Sequence, residues 1–260
     1  MKLLFIGDIV GKPGRRAVDK YLKQCKEEFD VIIANGENVA GGTGMTKKVC
    51  EELFSYGIHV LTSGNHVWDK KEIFDFIDDE KRILRPINYP EGTPGIGYNI
   101  YEINGYVVGV INALGRVFML PLSCPFITIK EQVEKIKKHT NIIIVDFHAE
   151  ATSEKIAMGY YLSGKVSAVI GTHTHIQTAD ERILSGKTAY ITDVGMTGAF
   201  DSVLGVRKNE VIKKFLTQLP QRFSVAKEGG IMINAVILEI DVESGAAQSI
   251  VRVNEKTPKG

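Results

Sequence analysis

The chain has 260 residues, a length that a single α/β domain often has. Hydrophobic residues make up 44% and charged residues 24%, which excludes a disordered or fibrous chain. Thirty-two Lys and Arg against 31 Asp and Glu leave a net charge of +1. This balance excludes a global field that attracts nucleic acid or anionic membrane, so any recognition of phosphate must be local.

The apolar run at the N-terminus ends at Asp8, short of the ~7 to 15 apolar residues of a signal peptide. No apolar stretch approaches the ~18 residues of a membrane span. The three cysteines, Cys25, Cys50 and Cys124, are widely spaced and contain no C-x-x-C pair, which argues against disulfides or a thiolate zinc site. We therefore expect a soluble, cytoplasmic protein without a membrane partner.

The first part of the chain repeats a unit of strand, loop and helix. The predicted units are strand Lys2 to Gly7 with a helix opening at Pro13, strand Val31 to Ala34 with a helix near Thr46 to Tyr56, and strand Ile58 to Thr62 with a helix near Asp69 to Ile77. This alternation predicts parallel strands with helices on their faces.

Antiparallel strands enter after a stretch rich in proline and glycine. Asn104-Gly105 joins two β-rich runs, 98–103 and 106–111, and is a strong hairpin signal. The alternating pattern then resumes with a helix near Ile129 to Lys138, strand Ile142 to Asp146, helix Ser153 to Tyr161 and strand Val166 to Ile170. Later β-rich runs are Lys187 to Thr192, Ile231 to Ile240 and Ala247 to Val253, of which the last two form a second hairpin.

These elements predict an α/β fold of two stacked sheets covered by helices. We expect each sheet to be largely parallel at its centre and antiparallel at its edges. One domain spans residues 1–260 in this interpretation, with a frayed tail over residues 254–260.

Side chains of the types that bind metals follow the predicted strands, where an α/β sheet presents its ligand crevice. Four of the six histidines fall in these loops. The five loops are Gly7-Asp8, Gly36-Glu37-Asn38, Gly64-Asn65-His66, Phe147-His148-Ala149-Glu150 and Gly171-Thr172-His173-Thr174-His175.

Each loop taken alone also has a structural interpretation. Asp8 is a helix cap or turn residue, Glu37-Asn38 is a turn, and His148 is a histidine satisfied within the core. His173 and His175 are different, because an extended H-x-H points both imidazoles to one side. We assign structural roles to the two remaining histidines, His59 and His139.

Taken together, these loops indicate a metal centre. Two carboxylates, two Asn and several His supply mixed nitrogen and oxygen ligands, which suit Mn, Fe or Zn. Two metals ~3.5 to 4 Å apart need a carboxylate that bridges them. We therefore predict a dinuclear centre bridged by Glu37.

The ordered motifs resemble those of the calcineurin-like metallophosphoesterases, which usually read Asp-x-His, Gly-Asp, Gly-Asn-His-Glu, His and Gly-His-x-His. This sequence departs from them at Ile9-Val10, at Glu37 in place of the usual Asp, and at Val67. These departures resemble the pattern of the YmdB-like bacterial subfamily. Two further segments resemble the same subfamily, Gly-Glu-Asn-Val-Ala-Gly-Gly at 36–42 and Thr-Asp-Val-Gly-Met-Thr-Gly at 192–198. The similarity runs from Met1 to about Val253.

The resemblance implies a four-layer α/β/β/α sandwich and a phosphodiesterase acting on cyclic nucleotides, chiefly converting 2′,3′-cyclic nucleotides to 3′-nucleotides. It implies two divalent or mixed-valence metal ions, Fe or Mn, and attack by a metal-activated hydroxide with His66 as proton donor. By the same resemblance, one metal takes Asp8, Glu37, Asn38 and His175, and the other takes Glu37, Asn65, His148 and His173.

Other functions stay open at this stage. The same centre suits a phosphomonoesterase or a nuclease, although a nuclease needs a basic groove that the near-neutral charge does not indicate. A third hypothesis is a regulatory protein that binds nucleotides or RNA-decay partners without catalysis. Gly41-Gly42-Thr43-Gly44 and Asp193 to Met196 are candidate pocket segments, but the sequence assigns no substrate-binding residue and leaves the oligomeric state open, including a homo-oligomer.

Overall fold

The computed structural model describes residues 1–258, and within them two β-sheets are flanked by helices. The strands are β1 (Lys2–Ile6), β2 (Asp8–Ile9), β3 (Val31–Asn35), β4 (Val60–Thr62), β5 (Tyr98–Ile103), β6 (Tyr106–Leu114), β7 (Ile143–His148), β8 (Ala168–Thr172), β9 (Arg182–Leu184), β10 (Thr188–Ile191), β11 (Met196–Ala199), β12 (Ile231–Ile240) and β13 (Ala247–Thr257). The α-helices are α1 (Gly11–Cys25), α2 (Lys47–Ser55), α3 (Pro125–Ile136), α4 (Thr152–Leu162) and α5 (Lys208–Thr217).

The second sheet follows the predicted plan. Its order is β5-β6-β7-β8-β10-β9, in which the four central strands are parallel and the two edge strands antiparallel. At the hairpin between β5 and β6, Asn104 and Gly105 both have positive φ, 51° and 82°. Two left-handed residues are what a tight turn of the type I′ kind requires, so the hairpin prediction is confirmed.

The first sheet is less regular than predicted. Its order is β2-β11-β12-β1-β3-β4, with β13 on the other edge of β12. Strands β1, β3 and β4 are parallel, but β12 runs antiparallel to β1, β11 and β13. Antiparallel pairing therefore enters the middle of this sheet, because the long strand β12 returns from the end of the chain to lie beside β1.

Alternation along β1 shows how the layers form. Leu3 and Phe5 face the second sheet, whereas Leu4 and Ile6 pack with residues of α1 and α2. A third apolar cluster lies between the second sheet and helices α3 and α4. Successive side chains of a strand point to opposite faces, so both sheets are covered on both sides. The predicted four-layer α/β/β/α arrangement is confirmed.

Two elements differ from the sequence-based expectation. Residues 69–77 contain only a 3₁₀ helix, Lys71–Asp75, rather than an α-helix. The apolar residues Ile73, Phe76 and Ile77 are nevertheless buried, because consecutive turns can direct this spacing of side chains into the core. Helix α5 was not predicted, although Val211, Ile212, Phe215 and Leu216 recur at helical spacing. Val211 is its one buried residue.

The predicted frayed tail is wrong for residues 254–257. Strand β13 continues to Thr257 because β12 offers a hydrogen-bonding edge as far as Ile231, which pairs with Thr257. Lys259 and Gly260 lie outside the described residues. That the whole chain forms one domain stays a prediction. Within residues 1–258, no helix is long and apolar enough to cross a membrane.

Candidate metal centre

The predicted metal-binding side chains meet where the carboxyl ends of the parallel strands of both sheets come together. The first sheet brings Asp8 after β1, Glu37 and Asn38 after β3, and Asn65 and His66 after β4, while the second brings His148 at the end of β7 and His173 and His175 after β8. Parallel strands place all their following loops at one edge, so the stacking of two sheets gathers residues from five loops.

Glu37 lies at the middle of this cluster. Its Oε1 is 3.1 Å from His148 Nε2 and accepts a hydrogen bond of 3.1 Å from Asn38 Nδ2. Its Oε2 accepts the backbone N–H of His66 at 3.1 Å. Glu37 is 1% exposed, so this carboxylate is held by protein contacts rather than by solvent.

One group of donor atoms lies around His148. His148 Nε2 is 3.0 Å from His173 Nδ1 and 3.1 Å from Asn65 Oδ1. One ligand atom from each of Glu37, His148 and His173 lies within 4.8 Å of the other two. These are the residues that the family resemblance assigns to the second metal.

The other group lies around His175. His175 Nε2 is 3.3 Å from Asn38 Nδ2 and 3.9 Å from Asp8 Oδ1. A half-turn of the Asn38 amide would present its oxygen in place of its nitrogen. Asp8 Oδ1 is buried and has no hydrogen-bond partner within the described part of the chain. Burial of this carboxylate raises the pKa of Asp8.

The donor set fits divalent metal ions. With metal–ligand bonds of about 2.1 Å, neighbouring ligand atoms are about 3.0 Å apart in an octahedron and about 3.4 Å apart in a tetrahedron. The separations around Glu37 and His148 lie in this range. A buried carboxylate oxygen without a partner, as in Asp8, also costs free energy unless a cation or donor satisfies it. Gly64 keeps the space open, since a Cβ there would lie 2.3 Å from Glu37 Oε2.

Protons and metal ions compete for these side chains. Burial opposes charge on His148, but the carboxylates of Glu37, Asp8 and Asp146 outweigh it and raise the pKa of His148 to about 9. Burial, together with the His148 cation, lowers the pKa of His173 to about 3. A metal that binds His148 must displace its proton, so metal uptake is favoured by rising pH.

The H-x-H segment is not extended, contrary to the prediction. Strand β8 ends at Thr172, and the two histidines have positive φ, 101° at His173 and 65° at His175. Left-handed backbone at non-glycine residues costs about 1 to 3 kcal/mol and persists where surrounding contacts impose it. Here both imidazoles reach the cluster through a turn rather than through the alternation of a strand.

Two polar residues that the sequence analysis did not single out orient His148. Thr172 Oγ1 lies 2.9 Å from His148 Nδ1 and donates to Asp146 Oδ1 at 2.7 Å. Asp146 is fully buried, and burial raises its pKa to about 6. Such partners fix the ring orientation of a metal-binding histidine. A carboxylate within the otherwise apolar run of β7 was the sequence signal for this role.

His66 lies beside the cluster and is partly exposed. Its Nδ1 is 2.9 Å from Asp69 Oδ2, which leaves Nε2 as the ring nitrogen without this partner. His66 lines an open cleft of about 510 Å³ that also includes Glu37, His173, His175 and Phe223. The position suits a proton donor that approaches a bound ligand from the side of the metal-binding residues.

The remaining predicted segments divide between the cleft and the core. Gly41, Gly42 and Thr43 line the cleft. Asp193 is fully buried and lies outside the lining of the cleft, so its role is to hold the H-x-H turn rather than to contact ligand. His59 accepts the backbone N–H of Ile32 on Nδ1 at 3.0 Å, and His139 is exposed at the end of α3.

Two stacked sheets with this cluster of carboxylates, amides and histidines at their common edge define a metallophosphoesterase. More specifically, the chain belongs to the family of YmdB-like proteins, whose model matches residues 4–253. Both the enzyme class and the subfamily predicted from the motifs are thereby confirmed.

The chain is similar to a relative and to solved structures along almost its whole length. The chain is 51% identical to a 2′,3′-cyclic-nucleotide 2′-phosphodiesterase of Bacillus subtilis, covering 97% of this chain and 96% of that protein. A hypothetical protein of Thermus thermophilus is 40% identical with a TM-score of 0.93, covering 99% and 100% of the two chains. A structure described as a novel phosphatase from Mycoplasma pneumoniae is 35% identical with a TM-score of 0.92, covering 98% and 93%.

Proposed function

We propose that this protein hydrolyses cyclic nucleotides at a dinuclear metal centre, chiefly 2′,3′-cyclic nucleotides to 3′-nucleotides. The observation that carries the proposal is the position of Glu37 between the two ligand groups: its Oε1 lies 3.1 Å from His148 Nε2 of one group and 3.1 Å from the side-chain amide nitrogen of Asn38 in the other. A carboxylate between two sets of nitrogen and oxygen donors is the arrangement that a bridging ligand needs. The activity named for the 51% identical relative supports the same substrate class.

The residues divide into two ligand groups. Asp8, Asn38 and His175 would hold one metal, Asn65, His148 and His173 would hold the other, and Glu37 would contact both. When bound, such metal ions supply a hydroxide nucleophile at neutral pH and neutralise charge on the phosphoryl oxygens. The Glu37 and Asp8 carboxylates would offset part of the charge of two bound cations. Thr172 contacts His148 Nδ1 and donates to Asp146, and these contacts keep the His148 ring in place.

His66 completes the reaction by supplying a proton. In the hydrolysis of a 2′,3′-cyclic phosphate, one bond forms between phosphorus and the water oxygen, and the bond from phosphorus to the 2′ oxygen breaks. The departing 2′ oxygen takes a proton and becomes the 2′ hydroxyl, leaving a 3′-phosphate. His66 lines the cleft, and its Nδ1 is 2.9 Å from Asp69 Oδ2; both observations support Nε2 as the donor of that proton.

A substrate panel tests the proposal. Metal-loaded protein is given adenosine 2′,3′-cyclic phosphate, a bis-aryl phosphodiester and a mono-aryl phosphate, with and without added Mn, and the products are separated by chromatography. We expect adenosine 3′-phosphate from the first substrate, turnover of the second and little turnover of the third. Preference for the mono-aryl phosphate would indicate a phosphomonoesterase, and turnover of none of the three would indicate a binding protein.

Three further predictions accompany this function. The metals are expected to be Fe or Mn, the protein is expected in the cytoplasm, and the substrate is a small cyclic nucleotide or another phosphodiester. Elemental analysis of protein purified from its native host tests the first of these, and fractionation of that host tests the second.

A further inference from the structure

A second concave surface continues from the cleft, and we call it the basic groove. It has a volume of about 470 Å³ and is lined by four cationic side chains, Lys12, Arg207, Arg222 and Lys227. Among the described residues, no Asp or Glu lines it. Because the protein as a whole carries a net charge of only +1, this concentration of positive charge is a local feature.

The cations of the basic groove form few close ion pairs. Within residues 1–258, Lys12, Arg222 and Lys227 have no carboxylate oxygen within 4.0 Å, and Arg207 reaches Glu210 only at 4.0 Å. Lys12 also lies in the first turn of α1, which contains no acidic residue. The partial positive charge of a helix N-terminus adds to the potential there. The basic groove is therefore suited to an anion.

The basic groove and the cleft share a wall. Gly41, Phe223, Ser224 and Val225 line both, so a ligand can extend from one into the other without leaving the surface. Phe223 is 49% exposed between them. An exposed aromatic ring beside a track of positive charge is the combination that binds single-stranded nucleic acid, where bases stack and phosphates are neutralised.

We infer that the basic groove binds a second phosphate on the 5′ side of the reacting ribose, an inference that rests on the proposed function. In a 2′,3′-cyclic nucleotide the 2′ and 3′ oxygens are both joined to the reacting phosphorus, so a further phosphate is attached through the 5′ oxygen. The phosphate is either a 5′-phosphomonoester or the internucleotide phosphodiester of a short RNA. The preferred substrate is thus a ribonucleotide or RNA end that carries a 5′-linked phosphate besides the cyclic phosphate.

Three matched substrates distinguish these sources. They are adenosine 2′,3′-cyclic phosphate, its 5′-phosphorylated form, and adenylyl-adenosine ending in a 2′,3′-cyclic phosphate. At low salt we expect kcat/KM to rise about three- to thirtyfold when the second phosphate is present. A rise of this size is what two or three exposed contacts between the phosphate and cationic side chains provide. The rise should shrink as salt increases. A rise with the dinucleotide alone identifies the internucleotide phosphate, and equal kcat/KM on all three would overturn the inference.

Variants locate the effect. We expect Arg222→Gln and Lys227→Gln each to lower the ratio of kcat/KM between the 5′-phosphorylated and unphosphorylated substrates. Lys137→Gln, which changes an exposed lysine at the end of α3 in the opposite outer layer, is the matched control and should keep the ratio. Phe223→Leu should reduce the advantage of the dinucleotide over the 5′-phosphorylated mononucleotide. If the ratio in the Arg222 and Lys227 variants equals that of the control, the basic groove does not bind the phosphate.

A binding measurement separates this inference from the proposed function. Calorimetry with metal-loaded protein compares adenosine 3′,5′-bisphosphate with adenosine 3′-phosphate, neither of which requires turnover. Tighter binding of the bisphosphate that Arg222→Gln abolishes supports the basic groove even where no cyclic phosphate is hydrolysed. Equal affinity for the two, with normal hydrolysis of adenosine 2′,3′-cyclic phosphate, contradicts the basic groove and leaves the proposed function standing.

Discussion

Lys155 Nζ lies 2.6 Å from Asp193 Oδ2, and both side chains are almost fully buried. The same Oδ2 accepts the backbone N–H and the hydroxyl of Thr174, at 2.9 and 2.7 Å, and Asp193 Oδ1 accepts the N–H of Gly195. Helix α4 thereby fixes the turn that carries His173 and His175. This network explains how two histidines keep a left-handed backbone beside the metal-binding cluster.

Breaking this ion pair should destabilise the protein strongly. We expect Lys155→Met to lower the free energy of unfolding by about 3 to 5 kcal/mol, because it leaves the Asp193 charge buried and uncompensated. The matched control is Lys208→Met, which breaks the Lys208–Asp201 pair of 2.7 Å between half-exposed side chains and should cost less than about 1 kcal/mol. Denaturant unfolding measures both, and similar losses in the two variants would contradict the role of the buried pair.

The purified protein should carry close to two transition-metal ions per chain. The reason is the pair of ligand groups that share Glu37. Elemental analysis counts the ions, and a chelator should lower the melting temperature, since metal bound only to the folded state stabilises it. Metal-free protein that fails to take up Mn or Fe, with no change in melting temperature, would contradict the dinuclear centre.

Replacing Glu37 with Gln should remove the bridge while keeping its size. Without the carboxylate, two cations repel each other with less compensation, so we expect the loss of one metal and of nearly all activity. Metal content and turnover of adenosine 2′,3′-cyclic phosphate are measured together. Glu131→Gln, on the exposed face of α3, is the control. If the Glu37→Gln variant kept both ions and normal turnover, Glu37 would be a turn residue and not a bridging ligand.

His66→Gln should separate proton donation from metal binding. We expect both metals to remain and kcat on cyclic nucleotides to fall by ~10² to 10⁴. With a nitrophenyl leaving group the loss should be smaller, because that oxyanion departs with little protonation. Asp69→Asn should follow the same pattern more weakly and alter the pH profile of kcat, since Asp69 holds His66 Nδ1. Equal losses on the two substrates would leave His66 a positioning residue.

His59 should make stability depend on pH. Burial lowers the pKa of His59, and its Nδ1 accepts the N–H of Ile32 as a neutral ring. The unfolded state therefore binds a proton more readily, so stability is full above about pH 6.5 and falls as the pH drops below that value. Between pH 7 and 5, the free energy of unfolding of the His59→Gln variant should decline less steeply than that of the parent protein. His139→Gln is the exposed control, and an unchanged slope for His59→Gln would contradict this assignment.

Much of the architecture was accessible from the sequence. Apolar runs of strand length followed by glycine-rich polar loops predicted the parallel strands, and Asn104-Gly105 predicted a hairpin that the structure contains. The metal-binding candidates follow these strands, and parallel strands place their loops at one edge whatever their order. For that reason the sequence predicts the set from Asp8 to His175 as one cluster without any knowledge of strand pairing.

Tertiary structure alone decided what depends on contacts between distant segments. The central place of β12 in the first sheet and the Lys155–Asp193 pair join residues far apart in the chain. The left-handed turn at His173 and His175 is held by the side chain of Asp193, 19 residues from Thr174. Local spacing cannot encode them, because which strand pairs with which, and which charges become buried together, is set by the packing of two sheets. The basic groove is of the same kind, since Lys12 and Arg222 become neighbours only when α1 packs beside the loop after α5.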